Sequence, residues 1–203
     1  MSKRPVIIGL VGGIGSGKSA VARLMGEMGA SIIDADASVR AALDRSEVKR
    51  QLVEWWGPGV LGEGGGVNRR TIADVVFADE RERRRLESLV HPLVAADRDA
   101  ALERLTADPA VRAIVIDAPL LMEVGLDERC DRVVFVACDR PARLRRLAEA
   151  RGWDEAELAR REKNQLSIDR KLQRATDIVD NNQGESALRR RVRDLLDRIL
   201  NPR

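Results

Sequence analysis

Val6-Ile7-Ile8-Gly9-Leu10-Val11-Gly12-Gly13-Ile14-Gly15-Ser16-Gly17-Lys18-Ser19 reads as a short buried strand running directly into a phosphate-binding loop. Residues 12–19 fit the pattern G-x-x-x-x-G-K-[ST], and helix-forming Ala20-Val21-Ala22-Arg23-Leu24-Met25 follows. Strand, loop and helix thus arrive in the order such a loop requires. Glycines 12, 13, 15 and 17 permit backbone conformations closed to residues with a Cβ, so successive N–H groups converge on phosphate oxygens at a helix N-terminus. Gly13, Ile14, Gly15, Ser16, Gly17, Lys18, Ser19 and Ala20 are the expected ATP-binding residues. Lys18 is suited to the β- and γ-phosphates, and the Ser19 hydroxyl to one coordination position of Mg²⁺. A plain glycine-rich turn leaves Lys18 unexplained, because a cation in the first helical turn is unfavourable unless an anion joins it.

Four further apolar, β-branched runs read as strands: Ser31–Asp34, Ala113–Asp117, Arg132–Ala137 and the short Ile178-Val179. The expected fold is α/β, a parallel five-stranded sheet with helices on both faces in the manner of phosphate-loop NTPases. Asp34 and Asp117 end two of these strands, at the C-terminal edge where such sheets meet their ligands. Between the second and third strands lie helical stretches expected at 37–55, 69–77 and 79–105, with a glycine-rich loop at Gly57–Gly66. Pro92 predicts a break or kink at His91-Pro92, since it lacks an N–H and restrains the residue before it. A second helical insertion occupies about 141–173, and an amphipathic helix at 185–200 presents Leu188, Val192, Leu195, Leu196 and Ile199 for packing on the sheet.

At 203 residues, with 44% hydrophobic and 34% charged residues, the chain has the composition of a globular protein with one sizeable core. No apolar run reaches the ~18 residues that span a bilayer. The Lys3-Arg4 pair before Val6–Val11 imitates a signal peptide, but the run is short and ends in the phosphate loop. A cytoplasmic protein without a membrane partner is expected. Cys130 and Cys138 lack metal or disulfide spacing and read as reduced thiols, and a single histidine argues against zinc. The net charge of +3 is local, since residues 139–174 hold 11 Lys/Arg against 7 Asp/Glu. With three Trp, two Phe and no Tyr there is no stacking platform for nucleic acid, and small polyphosphates are the expected anions.

Absences narrow the class. There is no N-K-x-D guanine motif, and Ala118-Pro119 follows Asp117 where motor ATPases place a water-activating glutamate. A kinase needs no such base, because its nucleophile is a substrate hydroxyl. Asp34-Ala35-Asp36 places two acids on one side if the strand conformation persists. One of them is then available to accept or orient a hydroxyl proton and to hold a magnesium-bound water, the other reading being an N-cap for the helix at 37–43.

The elements Gly9 to Ser19, Asp34-Ala35-Asp36, Val67-Asn68-Arg69, Val76-Phe77, His91-Pro92 and Asp117-Ala118-Pro119-Leu120-Leu121-Met122-Glu123 closely resemble the dephospho-coenzyme A kinase family over nearly the whole chain. The resemblance implies ATP-dependent phosphorylation of the ribose 3′-hydroxyl of dephospho-coenzyme A. It implies a core at 1–44, 109–140 and 174–203, a helical substrate lobe at 45–108 and a lid at 141–173. By the same resemblance Asp36 is the catalytic base, and Ser19 binds Mg²⁺ with Asp36 and Asp117 acting through water. Asp34, Arg69, His91, Pro119 and Leu120 then line the acceptor side. His91 has a second reading as a locally bonded helix-break residue, and Trp55, Trp56 and Trp153 read as packing more than as base-stacking surfaces.

The lid departs from the family pattern. Where relatives commonly carry a glutamine, an arginine three on and another four further, this chain has Arg143, Arg146 and Ala150, with Arg151 one place late. Arg146 is the expected transition-state arginine, Arg151 the second choice, and Arg143 remains open; a guanidinium binds spreading phosphoryl charge bidentately. Arg161, Gln165, Lys171, Asn181 and Asn182 match the second lid helix and adenine-side loop, with Thr176 in place of an aspartate. Two other functions stand beside this one: a different nucleoside or nucleotide kinase, and a regulatory module that binds ATP without chemistry. Oligomeric state is not legible in the sequence.

Overall fold

The computed structural model describes residues 4–202, so Lys3 of the basic pair lies outside the described residues. Arg4 is tied into the fold by two hydrogen bonds to Asp131, at 2.8 and 2.6 Å, and Asp131 also accepts from the Ile7 N–H at 2.9 Å.

The chain forms two compact units, one reaching Asp34 and resuming at Glu103, the other Ala35–Leu102. The first holds a five-stranded sheet of β1 (Val6–Val11), β2 (Ser31–Asp34), β3 (Ala113–Asp117), β4 (Arg132–Ala137) and β5 (Asp177–Asp180). Every pairing is parallel, in the order β2-β3-β1-β4-β5. The β-branched runs of β1, β3 and β4 are largely buried, as the middle of a helix-covered sheet demands, while the edge strands β2 and β5 expose Ile32 and Ile178. On one face Ile8, Leu10, Val115, Val134, Val136 and Val179 pack with Val21, Leu24 and Met25 of α1 (Lys18–Glu27) and with Leu188, Val192, Leu195, Leu196 and Ile199 of α9 (Gly184–Leu200). On the other face Gly9 has no side chain because Cys130 and Leu121 lie against it: an added Cβ would meet Cys130 Sγ at 2.8 Å. The remaining helices of this unit are α6 (Arg140–Arg151), α7 (Glu155–Glu162) and α8 (Ile168–Arg174), covering the expected lid stretch.

The second unit holds α2 (Ala35–Leu43), α3 (Ser46–Trp56), α4 (Arg69–Ala78) and most of α5 (Glu80–Ala107). Its core is Ala42, Leu43, Val48, Leu52, Val60, Ile72 and Val90. Three local expectations change here. The single helix over 37–55 is two, because Asp44 accepts from the Val67 N–H and Arg45 turns to Asp97 at 2.6 Å, which lets Leu43 and Val48 both face the core. Strand conformation does not persist through Asp34-Ala35-Asp36: β2 ends at Asp34 and α2 begins at Ala35, so the acids do not alternate and Asp36 lies inside the first helical turn, not at its cap. The helix is not broken at His91-Pro92, and α5 runs 28 residues through Pro92. His91, Pro92 and Ser88 are on the exposed side, where water can serve the Ser88 carbonyl that loses its donor, while Leu89, Val90, Leu93 and Val94 pack on the core and offset the roughly 3 kcal/mol a mid-helix proline costs.

Trp55 and Trp56 meet edge to face at 5.9 Å, with Arg85 over Trp55 and the Trp56 indole donating to Glu82, in agreement with packing.

Candidate active site

The phosphate loop lies between the end of β1 and α1. Gly17 adopts a left-handed conformation, φ 93°, at the N-cap of α1, and Gly12 and Gly15 also have positive φ, at 153° and 78°. Three different elements close over these glycines. An added Cβ would meet the Val136 carbonyl at 2.8 Å from Gly12, Leu147 at 3.0 Å from Gly15, and Asn181 Nδ2 at 2.3 Å from Gly17. Gly13 is covered by the guanidinium of Arg143, 2.6 Å from where its Cβ would stand.

Cations converge on this loop. Lys18 Nζ donates to the carbonyls of Gly12 and Gly13 at 3.3 and 3.4 Å. Burial depresses its proton affinity, Lys171 adds to the effect and Arg143 contributes further, while Asp117 and Glu123 oppose it; the balance is a pKa of about 8. Arg143, 2% exposed, donates to the Ile14 carbonyl at 3.2 Å and pairs with Glu162 of α7 at 2.6 Å. Burial opposes ionisation of Glu162, but hydrogen bonds from Arg143 and Arg140 outweigh it and hold the carboxyl below its ordinary value. Arg146 spans Ser16 and Asn181, donating to their carbonyls at 3.4 and 2.9 Å. Arg151 is remote from these bonds and stacks with Arg161 on Trp153, at 5.0 and 4.1 Å from the ring centroid. Glu162 had no signature in the sequence, since its role depends on α6 and α7 packing side by side. Thr176 takes up the backbone at the start of β5, accepting from the Val133 N–H at 3.0 Å.

Acids meet the loop along the sheet edge. Asp34 of β2 and Asp117 of β3 are register partners, and Asp117 also pairs with Leu10 of β1. After Asp117 the chain turns, exposing Pro119 and Leu120 and burying Leu121 and Met122. Glu123 closes the turn by accepting from the Leu166 N–H at 2.9 Å and pairing with Lys171 at 3.0 Å. The second unit carries the other expected groups: Asp36 exposed in the first turn of α2, Arg69 exposed as the first residue of α4 after the Asn68 cap, and His91 exposed within α5. Arg69, like Lys18, is a cation at a helix N-terminus, the placement that an anionic ligand favours.

The phosphate loop and the cations laid against it in the first unit fit a nucleotide polyphosphate. Ser16 Oγ and Arg143 Nε are buried without a protein partner, packed against Gly12 and Gly13, whose missing Cβ atoms make room for them. Buried donors of this kind are costly unless a ligand engages them. The exposed Ser19 hydroxyl and the strand-end carboxylates of Asp34 and Asp117 are oxygen donors of the kind that could hold a Mg²⁺ that keeps most of its water. No cluster of three or more His, Cys, Asp or Glu side chains able to hold a metal by themselves occurs among the described residues. Nor is any described helix long and apolar enough to cross a membrane.

A phosphate loop at the end of the central strand of a parallel sheet, with arginines of α6 laid against it and Ala118-Pro119 after the strand-end Asp117, defines a phosphate-loop kinase. The sequence pattern described as Dephospho-CoA kinase matches residues 6–187, and the chain belongs to that family. The dephospho-CoA kinase of Geobacillus kaustophilus is 38% identical over 190 residues, 93% of this chain and 94% of the relative. That of Geobacter sulfurreducens is 36% identical over 192 residues, covering 93% and 96%. The crystal structure of TT1252 from Thermus thermophilus superposes with a TM-score of 0.76 at 32% identity, covering 98% of this chain and all of the other.

Proposed function

We propose that this chain transfers the γ-phosphoryl group of ATP to the ribose 3′-hydroxyl of dephospho-coenzyme A. As a member of its family it catalyses the ATP-dependent phosphorylation step of coenzyme A biosynthesis. The observation that carries the residue-level reading is the convergence of Lys18, Arg143 and Lys171 on a glycine loop whose buried Ser16 Oγ and Arg143 Nε lack protein partners.

In this reading the hydroxyl oxygen attacks the γ-phosphorus and the bond to the β,γ-bridging oxygen breaks, while Asp36 takes or directs the hydroxyl proton. Lys18 and the loop N–H groups hold the β- and γ-phosphates, and Arg146 supplies a guanidinium to the spreading charge. Ser19 would hold Mg²⁺, with Asp117 and Asp36 as partners through water, and the ion would supply charge neutralisation at the phosphate oxygens. Asp34, Arg69, His91, Pro119 and Leu120 serve the acceptor. Excluding water is the lid's part, since a stray water would waste ATP.

The test is an ADP-release assay with MgATP and dephospho-coenzyme A, adenosine, AMP or no acceptor. Turnover specific to dephospho-coenzyme A with a 3′-phosphorylated product is expected, and turnover with another acceptor alone would refute the reading.

A further inference from the structure

Lys171 is among the least exposed ionisable side chains in the molecule, at 3% for the side chain. It lies on α8, and its ammonium donates to Gln165 Oε1 at 3.0 Å and pairs with Glu123 Oε1 at 3.0 Å. An ammonium has three donors, so these two acceptors leave one. Lys171 also lines a cavity of about 440 Å³ shared with Gly13 of the phosphate loop and with Glu162, Gln165, Leu166 and Ser167. The cavity therefore runs from the loop to the lid helices with a buried cation in its wall.

A purely structural ion pair is a poor account of this arrangement. Burying an ammonium is costly, and Lys171 stands close enough to Lys18 to be the leading charge that depresses it, with Arg143 acting in the same direction. Lys171 and Lys163 both line the cavity that reaches Gly13, so cations face the phosphate loop from the side of α7 and α8, where an anion on the loop would meet them. Glu123 is likewise more than a counter-ion. Its Oε1 holds both Lys171 and the Leu166 N–H, so one carboxylate sets the ammonium and fastens the segment joining α7 to α8, while its Oε2 is buried without a hydrogen-bond partner.

We propose that Lys171 is a second catalytic lysine, contacting the phosphoryl group in transit, and that Glu123 is the positioning residue that presents it. This rests on the kinase reading above and adds a residue to its chemistry. Lys18 anchors the phosphates from beneath the loop, and Lys171 meets the transferring group from the lid side, so that charge moving off the donor stays flanked by cations.

The experiment compares the full chain with Lys171→Met, Lys171→Arg and Glu123→Gln. It reads kcat and KM for both substrates and MgADP affinity with and without aluminium fluoride. Lys171→Met is expected to lower kcat about 100-fold while MgADP affinity stays within about threefold, and to abolish the tightening by aluminium fluoride, which mimics the group in transit. Lys171→Arg restores part of kcat. Glu123→Gln, which loosens the ammonium without removing it, is expected to lower kcat less than Lys171→Met and to weaken the aluminium fluoride tightening without abolishing it. Lys171→Met with kcat within about threefold of the parent, or with MgADP affinity falling as far as kcat, overturns the proposal. If the unmodified chain does not phosphorylate dephospho-coenzyme A, the underlying reading fails on its own, and the aluminium fluoride measurement still decides the role of Lys171.

Discussion

The carboxamide nitrogen of Asn181 donates to the main-chain carbonyl of Ser16 at 2.7 Å, a buried bond between residues 165 apart in the chain. It ties the end of β5 to the phosphate loop, and the same nitrogen sits where a side chain on Gly17 would begin. Asn181→Ala leaves the Ser16 carbonyl only its longer bond from Arg146, at 3.4 Å, with a cost of about 1 kcal/mol. Thermal denaturation should show that loss, together with weaker nucleotide binding.

Gly17→Ala meets two separate obstacles, the contact with Asn181 and a backbone at φ 93° that costs a residue with a Cβ about 1–2 kcal/mol. Only the first disappears in an Asn181→Ala background. A double-mutant cycle should therefore find Gly17→Ala less damaging there than in the parent chain, and equal costs in both would show that the contact is unimportant.

Nucleotide binding should be sensitive to alkali through Lys18. Its pKa of about 8 means the ammonium that meets phosphate is lost as pH rises through that value, so ATP affinity falls above it and binding takes up a proton. Calorimetry in buffers of different ionisation enthalpy measures that uptake, and its absence near pH 8 to 9 would remove Lys18 from the phosphate contact. Folding stability moves the other way. An unfolded lysine titrates near 10.5, so between about 8 and 10.5 the unfolded chain holds more protons, and the Lys18 contribution to stability without nucleotide rises with pH.

Asp36→Asn removes the proposed proton acceptor and keeps its shape. Turnover should drop by about 100-fold or more, with ATP affinity changed by less than about threefold. Unchanged turnover in steady-state assays would take Asp36 out of the mechanism.

The three lid arginines should separate in kinetics. Arg146→Ala loses its bonds to the Ser16 and Asn181 carbonyls, so both ATP affinity and turnover should fall. Arg143→Ala releases Glu162 from its buried partner, and nucleotide affinity should suffer together with thermal stability. Arg151→Ala should leave turnover within about twofold while altering the fluorescence of Trp153, on which it stacks.

Much of the fold was legible because its signals are local. β-branched runs buried on both faces announce parallel strands, and the spacing of glycines and Lys18 announces the loop. The misreadings lie where tertiary partners decide. Asp44 and Arg45 end a helix for the sake of Val67 and Asp97, and Pro92 is tolerated because its exposed side meets water while its neighbours pack. The Asp34 and Asp36 pair follows the start of α2, which no alternation pattern encodes. In the site, phosphate-loop residues were legible one by one, but the Arg143–Glu162 and Lys171–Glu123 pairs depend on how α6, α7, α8 and the turn after β3 pack.

The covering of Gly12, Gly15 and Gly17 by β4, α6 and Asn181 also bears on how the enzyme can change over time. A methyl at any of the three has nowhere to go, so the loop is closed to gradual variation. Adjustments in rate or donor preference are left to the surrounding walls, where Leu147 and Arg143 lie against Gly15 and Gly13.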